Sequence, residues 1–528
     1  MRVVLRPRAS TRVPPMSAEI PDREDLAELQ RRRAMTEDAA RPAAAEKRHA
    51  RGGRTARENV ADLIDAGSWV EYGRYAIAPQ RGRRELDDLI ANTPADGLVA
   101  GTATIDGHPT AVLAYDYTVL AGTQGAMGHL KKDRMFELIE RMRLPVVFLA
   151  EGGGGRPGDT DVPVVSALHV KAFALWAKLS GKVPRLALVH GNCFAGNAVI
   201  AGCSDLIVAT EASSIGMAGP AMIAGGGLGD FRPEEIGPAS MQAPNGVIDV
   251  LVADEAEAVA TGKRLLGYFR GPVDGWTAHD QEPLRGAVPE RQRRAYDVVP
   301  IIERLADEDS VTVLRPDFAP ELVTALTRIE GRPVGVIANN TMHMAGTVTG
   351  PGSDKAARFM QLCDAYGLAM VSLIDTPGYM VGPKHEKDAL VRHACRMLVA
   401  GAALEVPTIA VVLRRGYGLG AQAMAFGGLH APLMTLAWPS ASLGPMGLEG
   451  AVRLALRKEL EAIEDERERE QRVAELTAQM YEHAKAINAA QLFELDDVVD
   501  PADTRRILAR TLAAAGPPAA GGRPVDTW

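Results

Sequence analysis

The chain contains itself twice. Ile105-Asp106-Gly107-His108-Pro109 returns as Ile329-Glu330-Gly331-Arg332-Pro333, 224 positions later. The same offset carries Ala121-Gly122-Thr123 onto Ala345-Gly346-Thr347, Lys131 onto Lys355, Leu138 onto Leu362 and Glu151 onto Asp375, with no gap. Upstream, Ala61–Ser68 answers to Ile302–Ser310 at an offset of 242, so the copies differ there by an insertion. A repeat this long implies two related domains rather than a solenoid. Two related domains facing each other imply one site made of two half-sites, and hence a reaction between two large partners.

Composition narrows the classes. With 46% hydrophobic and 24% charged residues the chain reads as an ordinary globular protein. A net charge of −8 argues against a general nucleic-acid binder. No apolar run reaches the roughly 18 residues of a membrane span. Cys193, Cys203, Cys363 and Cys395 show no CxxC spacing, so no metal site or redox pair is indicated. They read as free thiols of a reducing cytoplasm.

Residues 1–20 are Arg- and Pro-rich without the apolar core of a signal peptide, and are expected to be disordered, with Met16 as an alternative start. The expected organisation is an N-terminal extension and helical arm over 1–50, a first domain over 51–285, a second over 286–515, and a disordered tail over 516–528. The polar stretch 275–296 reads as the linker.

Each copy alternates strands and helices. Residues 111–116 and 334–339 are expected strands, as are Val146–Ala150 and Met370–Ile374, apolar throughout because helices cover both faces. Met135, Phe136, Leu138, Ile139 and Met142 form the stripe of an amphipathic helix, repeated by Phe359, Met360, Leu362 and Cys363. The pattern predicts an α/β fold. The charged stretch after residue 452 reads as a solvated helix face.

Four strands end in small-residue loops: Glu151–Gly158 and Gly191–Ala198 in the first copy, Asp375–Tyr379 and Gly416–Ala423 in the second. Glycine lets backbone approach a ligand and turn its N–H groups outward, which is how an oxyanion is held. Gly153, Gly155 and Gly158 match GxGxxG literally, but Pro157 spoils the helix start and the second copy lacks the pattern. No P-loop is present. The nearest titratable groups, Glu151, Asp375 and His190, sit at strand ends, where a satisfied hydrogen-bonding role is as reasonable as catalysis. Ser214 pairs with Ser442 and Gly216 with Gly444, as a structural turn would. The chain therefore offers oxyanion holders and no base of its own.

The stretches DGLVAGTATIDGHP, EGGGGR, HGNCFAGNAVIAGCSDLIVA, SDKAARFMQLCDAYGLAMVSLIDTPGYMVG, RRGYGLGAQAM and AWPSASLGPMG resemble the carboxyltransferase (β) subunits of biotin-dependent acyl-CoA carboxylases, over roughly residues 51–510. The resemblance implies two tandem crotonase-like (ββα spiral) domains. It implies transfer of a carboxyl group from carboxybiotin to the α-carbon of an acyl-CoA, with the biotin anion as base. On this basis Gly154 and Gly155 hold the acyl-CoA enolate, and Leu419 and Gly420 the biotin enolate. Arg156, Gly196, Ala421 and Gln422 are substrate-binding, and Lys131, Lys132, Arg54 and Arg57 are candidates for the CoA phosphates. No metal is implied. Biotin comes on a separate biotin carboxylase/biotin carrier subunit, CoA enters as the thioester, and a homohexamer (trimer of dimers) in the cytoplasm is implied. Family members commonly read Ser-Gly-Gly-Ala-Arg and Gly-Gly-Ala-Tyr-Asp at the two loops. The small Ala421 and neutral Gln422 point to an acyl group longer or more branched than propionyl. A decarboxylase or transcarboxylase, a crotonase-type hydratase and a non-catalytic scaffold remain alternatives.

Overall fold

Two sheets of matching topology account for the repeat. The structure, a computed structural model, describes residues 23–162, 165–166 and 168–528; the expectations for residues 1–20 lie outside them. The first sheet takes β1 (Val70–Glu71), β2 (Leu98–Ile105), β3 (His108–Tyr115), β4 (Val146–Leu149), β5 (Arg185–Val189), β7 (Leu206–Thr210) and β9 (Val250–Val252), in that order. Beside it, β6 (Asn192–Phe194) and β8 (Ser214–Gly216) form a separate parallel pair. The second sheet runs β10 (Thr312–Leu314), β11 (Leu322–Ile329), β12 (Arg332–Asn339), β13 (Ala369–Thr376), β14 (Thr408–Tyr417), β15 (Met434–Ala437) and β17 (Asp497–Val498), with β16 (Ser442–Gly444) on the far end of β14. In both copies the first three strands are antiparallel and the rest parallel. One difference stands out. In the second copy β14 does without a break what β5 and β6 do separately in the first.

The sequence patterns place these elements well. The Ala126–Met142 helix buries Met135, Phe136, Leu138 and Ile139 against β3 and β4. Its counterpart, the Gly350–Ala365 helix, is buried on nearly every side because it lies in the seam between the domains. One core joins both sheets there: Val112, Val147 and Leu188 of the first domain share it with Ile337, Phe359 and Met360 of the second. The seam is also crossed by polar contacts. Arg358 donates to the carbonyls of Ser204 and Asp205, and the Tyr366 hydroxyl donates to Asp205 Oδ2 at 2.6 Å.

Two edges of the expected organisation look different. Residues 277–281 already contact the second domain, through a bridge from Ala278 to Asp307 and a bond from Gln281 to the Arg304 carbonyl. The tail after Gly516, expected to be disordered, lies across the seam: Val525 exchanges two hydrogen bonds with Ser180, and Asp526 pairs with Arg396. Its low complexity hid Val525 and Asp526, each placed to find a partner. The Glu466–His483 helix buries only Val473, as a solvated helix should.

Candidate active site

Each copy brings a strand-end loop against the start of a short helix. In the first copy, Gly154 takes φ +91°, a conformation that favours glycine. Its carbonyl accepts from Gln124 N at 2.7 Å, and Gln124 O accepts from Arg156 N at 3.1 Å. Gly155, between these two bonds, points the other way into open space. In the second copy Gly378 (φ +123°) accepts from Val348 N at 3.0 Å and Met380 N donates to Val348 O at 2.9 Å, leaving Tyr379 in the position of Gly155. Among the described residues, the N–H groups of Gly155 and Tyr379 have no acceptor.

The helices Gly196–Gly202 and Gly418–Met424 complete the two constellations. First-turn N–H groups have no partner within their own helix, and those of Gly196, Leu419 and Gly420 find no other acceptor among the described residues. The β6–β8 and β14–β16 ladders fix the equivalence: Asn192 pairs with Ser214 as Arg415 pairs with Ser442. Ala195-Gly196-Asn197 therefore stands opposite Gly418-Leu419-Gly420. Aligning the two small-residue loops from Gly191 and Gly416 sets it against Gly420-Ala421-Gln422 instead, and the strand ladders correct this by two positions.

Several residues expected at the site are engaged elsewhere. Gly154 N donates inward to Asn197 Oδ1 at 3.2 Å, so the outward donors of the first copy are Gly155 and Gly196. Arg156 is not free for substrate: its guanidinium is buried between Asp96 and Asp159. Those two carboxylates also accept from Gly128 N and Ala126 N, so the start of the Ala126–Met142 helix is filled by the chain's own anions. Nor can Lys131 or Lys132 meet a CoA phosphate. Lys131 Nζ is buried on the carbonyls of Ala95 and Leu98, and Lys132 Nζ on Gln124 Oε1. Arg57 pairs with Glu71 and Arg54 with Asp62. Leu419 is 64% exposed, Gln422 is exposed, and Ala421 is buried.

The acidic groups nearest the loops are locked. Glu151 takes a two-pronged bond from Arg48 of the N-terminal arm, at 2.8 and 2.7 Å. Asp375 takes Arg414 and Arg415. Burial pushes His190 down from the usual histidine value, favouring its neutral form. Arg48, Asp96 and Gln124 were not singled out by sequence, and Asn197 and Tyr379 lay in the expected loops without a role of their own.

Burial also lowers Lys131 to about 8 and Lys132 and Lys355 to about 7, from 10.5. The unfolded chain then binds more protons than the folded one between about pH 7 and 10.5, so these lysines make stability rise with pH across that window. Lys355→Met is expected to flatten the rise, measured by urea denaturation at pH 7 to 10. An unchanged slope would mean that Lys355 titrates normally.

A family model described as the carboxyl transferase domain matches residues 47–517. The chain is 33% identical, over 88% of its length and 89% of the relative's, to the methylmalonyl-CoA carboxyltransferase 12S subunit of Propionibacterium freudenreichii subsp. shermanii. It is similar to the solved structure of a single-chain, multi-domain long-chain acyl-CoA carboxylase, with 52% identity and a TM-score of 0.89. That match covers 93% of this chain and 49% of the other, so the chain spans about half the length of that protein. A crystal structure of the transcarboxylase 12S hexamer with methylmalonyl-CoA bound is 30% identical, with a TM-score of 0.82 over 96% of this chain and 98% of that one. These neighbours share the tandem crotonase-like α/β architecture. Among the described residues, no helix is long and apolar enough to cross a membrane and no group of side chains could hold a metal ion.

Proposed function

The chain belongs to the carboxyl transferase family, and on that premise we propose that it carries a carboxyl group from carboxybiotin to the α-carbon of an acyl-CoA. The carrying observation is the doubled constellation of outward N–H groups, with every nearby acid already paired. Gly155 and Gly196 face the thioester oxygen. As the α-proton leaves, charge grows on that oxygen, and fixed N–H donors stabilise the enolate more than the ground state. Gly154 shapes this loop and donates inward. Leu419 and Gly420, with Tyr379, face the ureido oxygen of biotin. The fit of biotin there is supported by the tight backbone cradle that Gly420 makes with Gly378 and Tyr379.

Glu151 and Asp375 are held by arginines, which leaves the proton to be taken by a ligand. Biotin, when bound, supplies both the carboxyl group and that base. The chain's own residues orient the two partners and hold the developing charge.

By analogy with the relatives, biotin arrives on a separate carrier joined to a biotin carboxylase, and six copies assemble as a trimer of dimers in the cytoplasm. The 52% identity to a long-chain acyl-CoA carboxylase agrees with the reading of Ala421 and Gln422, so a long acyl chain is the proposed substrate. Similarity to the 12S subunit favours one second reading, a biotin-dependent transcarboxylase that runs the same half-reaction with another donor.

The test is bicarbonate fixation by the chain with biotin carboxylase and carrier subunits, across acetyl-, propionyl- and long-chain acyl-CoA. Long-chain turnover is expected to exceed propionyl-CoA turnover. A clear preference for propionyl-CoA would overturn the chain-length assignment, and no fixation with any acceptor would overturn the activity.

A further inference from the structure

Behind the Gly152–Gly155 loop runs a buried chain of polar groups. Lys132 Nζ donates to Gln124 Oε1 at 2.5 Å. Gln124 Nε2 donates to Asn197 Oδ1 at 3.2 Å. The same oxygen accepts from Gly154 N at 3.2 Å, and Asn197 Nδ2 reaches Glu151 O at 3.4 Å. Lys132 and Asn197 are wholly buried and Gln124 nearly so. No step of the proposed reaction uses Lys132, and no carboxylate pairs with it.

The second copy removes all three links. Lys132 becomes Ala356, Gln124 becomes Val348, and Asn197 becomes Gly420. Gly378 there packs directly on Gly420, where an added Cβ would lie 2.5 Å from Gly378 C. In the first copy the Asn197 side chain stands between helix and loop, with its Nδ2 within 2.3 Å of where a Gly152 Cβ would be. One half-site therefore rests backbone on backbone, while the other is held off its helix by a side chain that a buried lysine anchors.

We propose that Lys132 is a positioning residue of the thioester half-site, acting through Gln124 and Asn197. Asn197 takes the Gly154 N–H inward and so sets Gly155 and Gly196 toward the thioester. The ammonium polarises the amide chain and supplies a buried positive charge behind the oxygen on which the enolate charge develops, where a low dielectric makes it effective. The charged and titratable neighbours are few: Asp133 and His129 on its own helix and Tyr115 on β3, with the Phe173 ring closing the other side. Burial lowers Lys132 to about 7, so its charge is lost just above neutrality.

This inference rests on the proposed carboxyl transfer. In the assembled enzyme, Lys132→Met is expected to lower kcat by roughly 10- to 100-fold, the cost of a reacting group misplaced by a fraction of an ångström to an ångström. KM for the carboxylated carrier should stay unchanged. The ratio of wild-type to variant kcat should fall as pH rises through about 7. A structural lesion alone would leave that ratio flat. Gln124→Val, the residue that the second copy uses, should reproduce the kcat loss and carries the test if Lys132→Met does not fold. Amide exchange should quicken over residues 150–157 and stay unchanged over 374–381. Wild-type-like kcat in both variants, a pH-independent ratio, or equal exchange in both segments would overturn the proposal. If the wild type transfers no carboxyl group, the functional reading fails, and the exchange comparison still decides whether Lys132 holds the loop.

Discussion

Replacing Gly420 with alanine should leave the protein folded and nearly stop carboxyl transfer. Alanine is ordinarily better than glycine in a helix by about 1 kcal/mol, so the Gly418–Met424 helix itself has nothing to lose. The damage comes from contact. The new Cβ would sit 2.5 Å from Gly378 C and 2.8 Å from Gly378 Cα and Tyr379 N, all backbone atoms that cannot swing aside. The Asp375–Tyr379 loop must therefore retreat, taking the Tyr379 N–H with it. Losing one oxyanion donor costs roughly 10²- to 10³-fold in kcat, and this change disturbs two. Acyl-CoA binding, measured by calorimetry, should persist, because the thioester half-site is untouched. Transfer within threefold of wild type would mean that this loop does not hold biotin.

The second large effect is on stability. Asp205 is fully buried and accepts from Arg185 N and Nη2 at 2.8 Å and from the Tyr366 hydroxyl at 2.6 Å. Arg185 belongs to the first domain and Tyr366 to the second, so one carboxylate ties the seam. Asp205→Ala would strand a buried guanidinium beside the Trp176 ring, and breaking one side of a buried pair costs about 3–5 kcal/mol. Urea denaturation should show that loss. Adding Arg185→Met should restore most of it, since removing both charges together avoids the unpaired one. A double variant as unstable as the single one would show that packing, not the stranded charge, sets the cost.

Much of the architecture was legible because a repeat is a strong constraint. Matching Ile105–Pro109 with Ile329–Pro333 set the two copies in register, the strands expected over 111–116 and 334–339 fall on β3 and β12, and the apolar stripes placed both long helices. The loops that carry the free N–H groups were found for the same reason. What periodicity cannot show is a partner far away in sequence. Arg48 reaches Glu151 across 103 positions, and nothing in either segment announces the other. Lys131 and Lys132 were misread because a lysine near a helix start is usually solvated. The correction was nevertheless in the pattern: Lys132 precedes Met135, Phe136 and Ile139 at the spacing of the buried stripe. Arg156 misled similarly, since its two acidic partners come from a tight turn at Asp96 and from Asp159.

The unbroken β14 has a mechanical meaning. Its ladder with β13 runs from Thr408 past one irregularity to Gly416, so the loop and helix that follow are cantilevered from a continuous strand. In the first copy β5 ends at Val189, and the chain restarts at Asn192 in its own two-stranded ribbon, with a joint at His190-Gly191. On the proposed assignment, the group that is identical in every turnover meets the stiff arm. The thioester end of the acyl-CoA meets the jointed one. The division of labour between the copies is thus also a division of compliance.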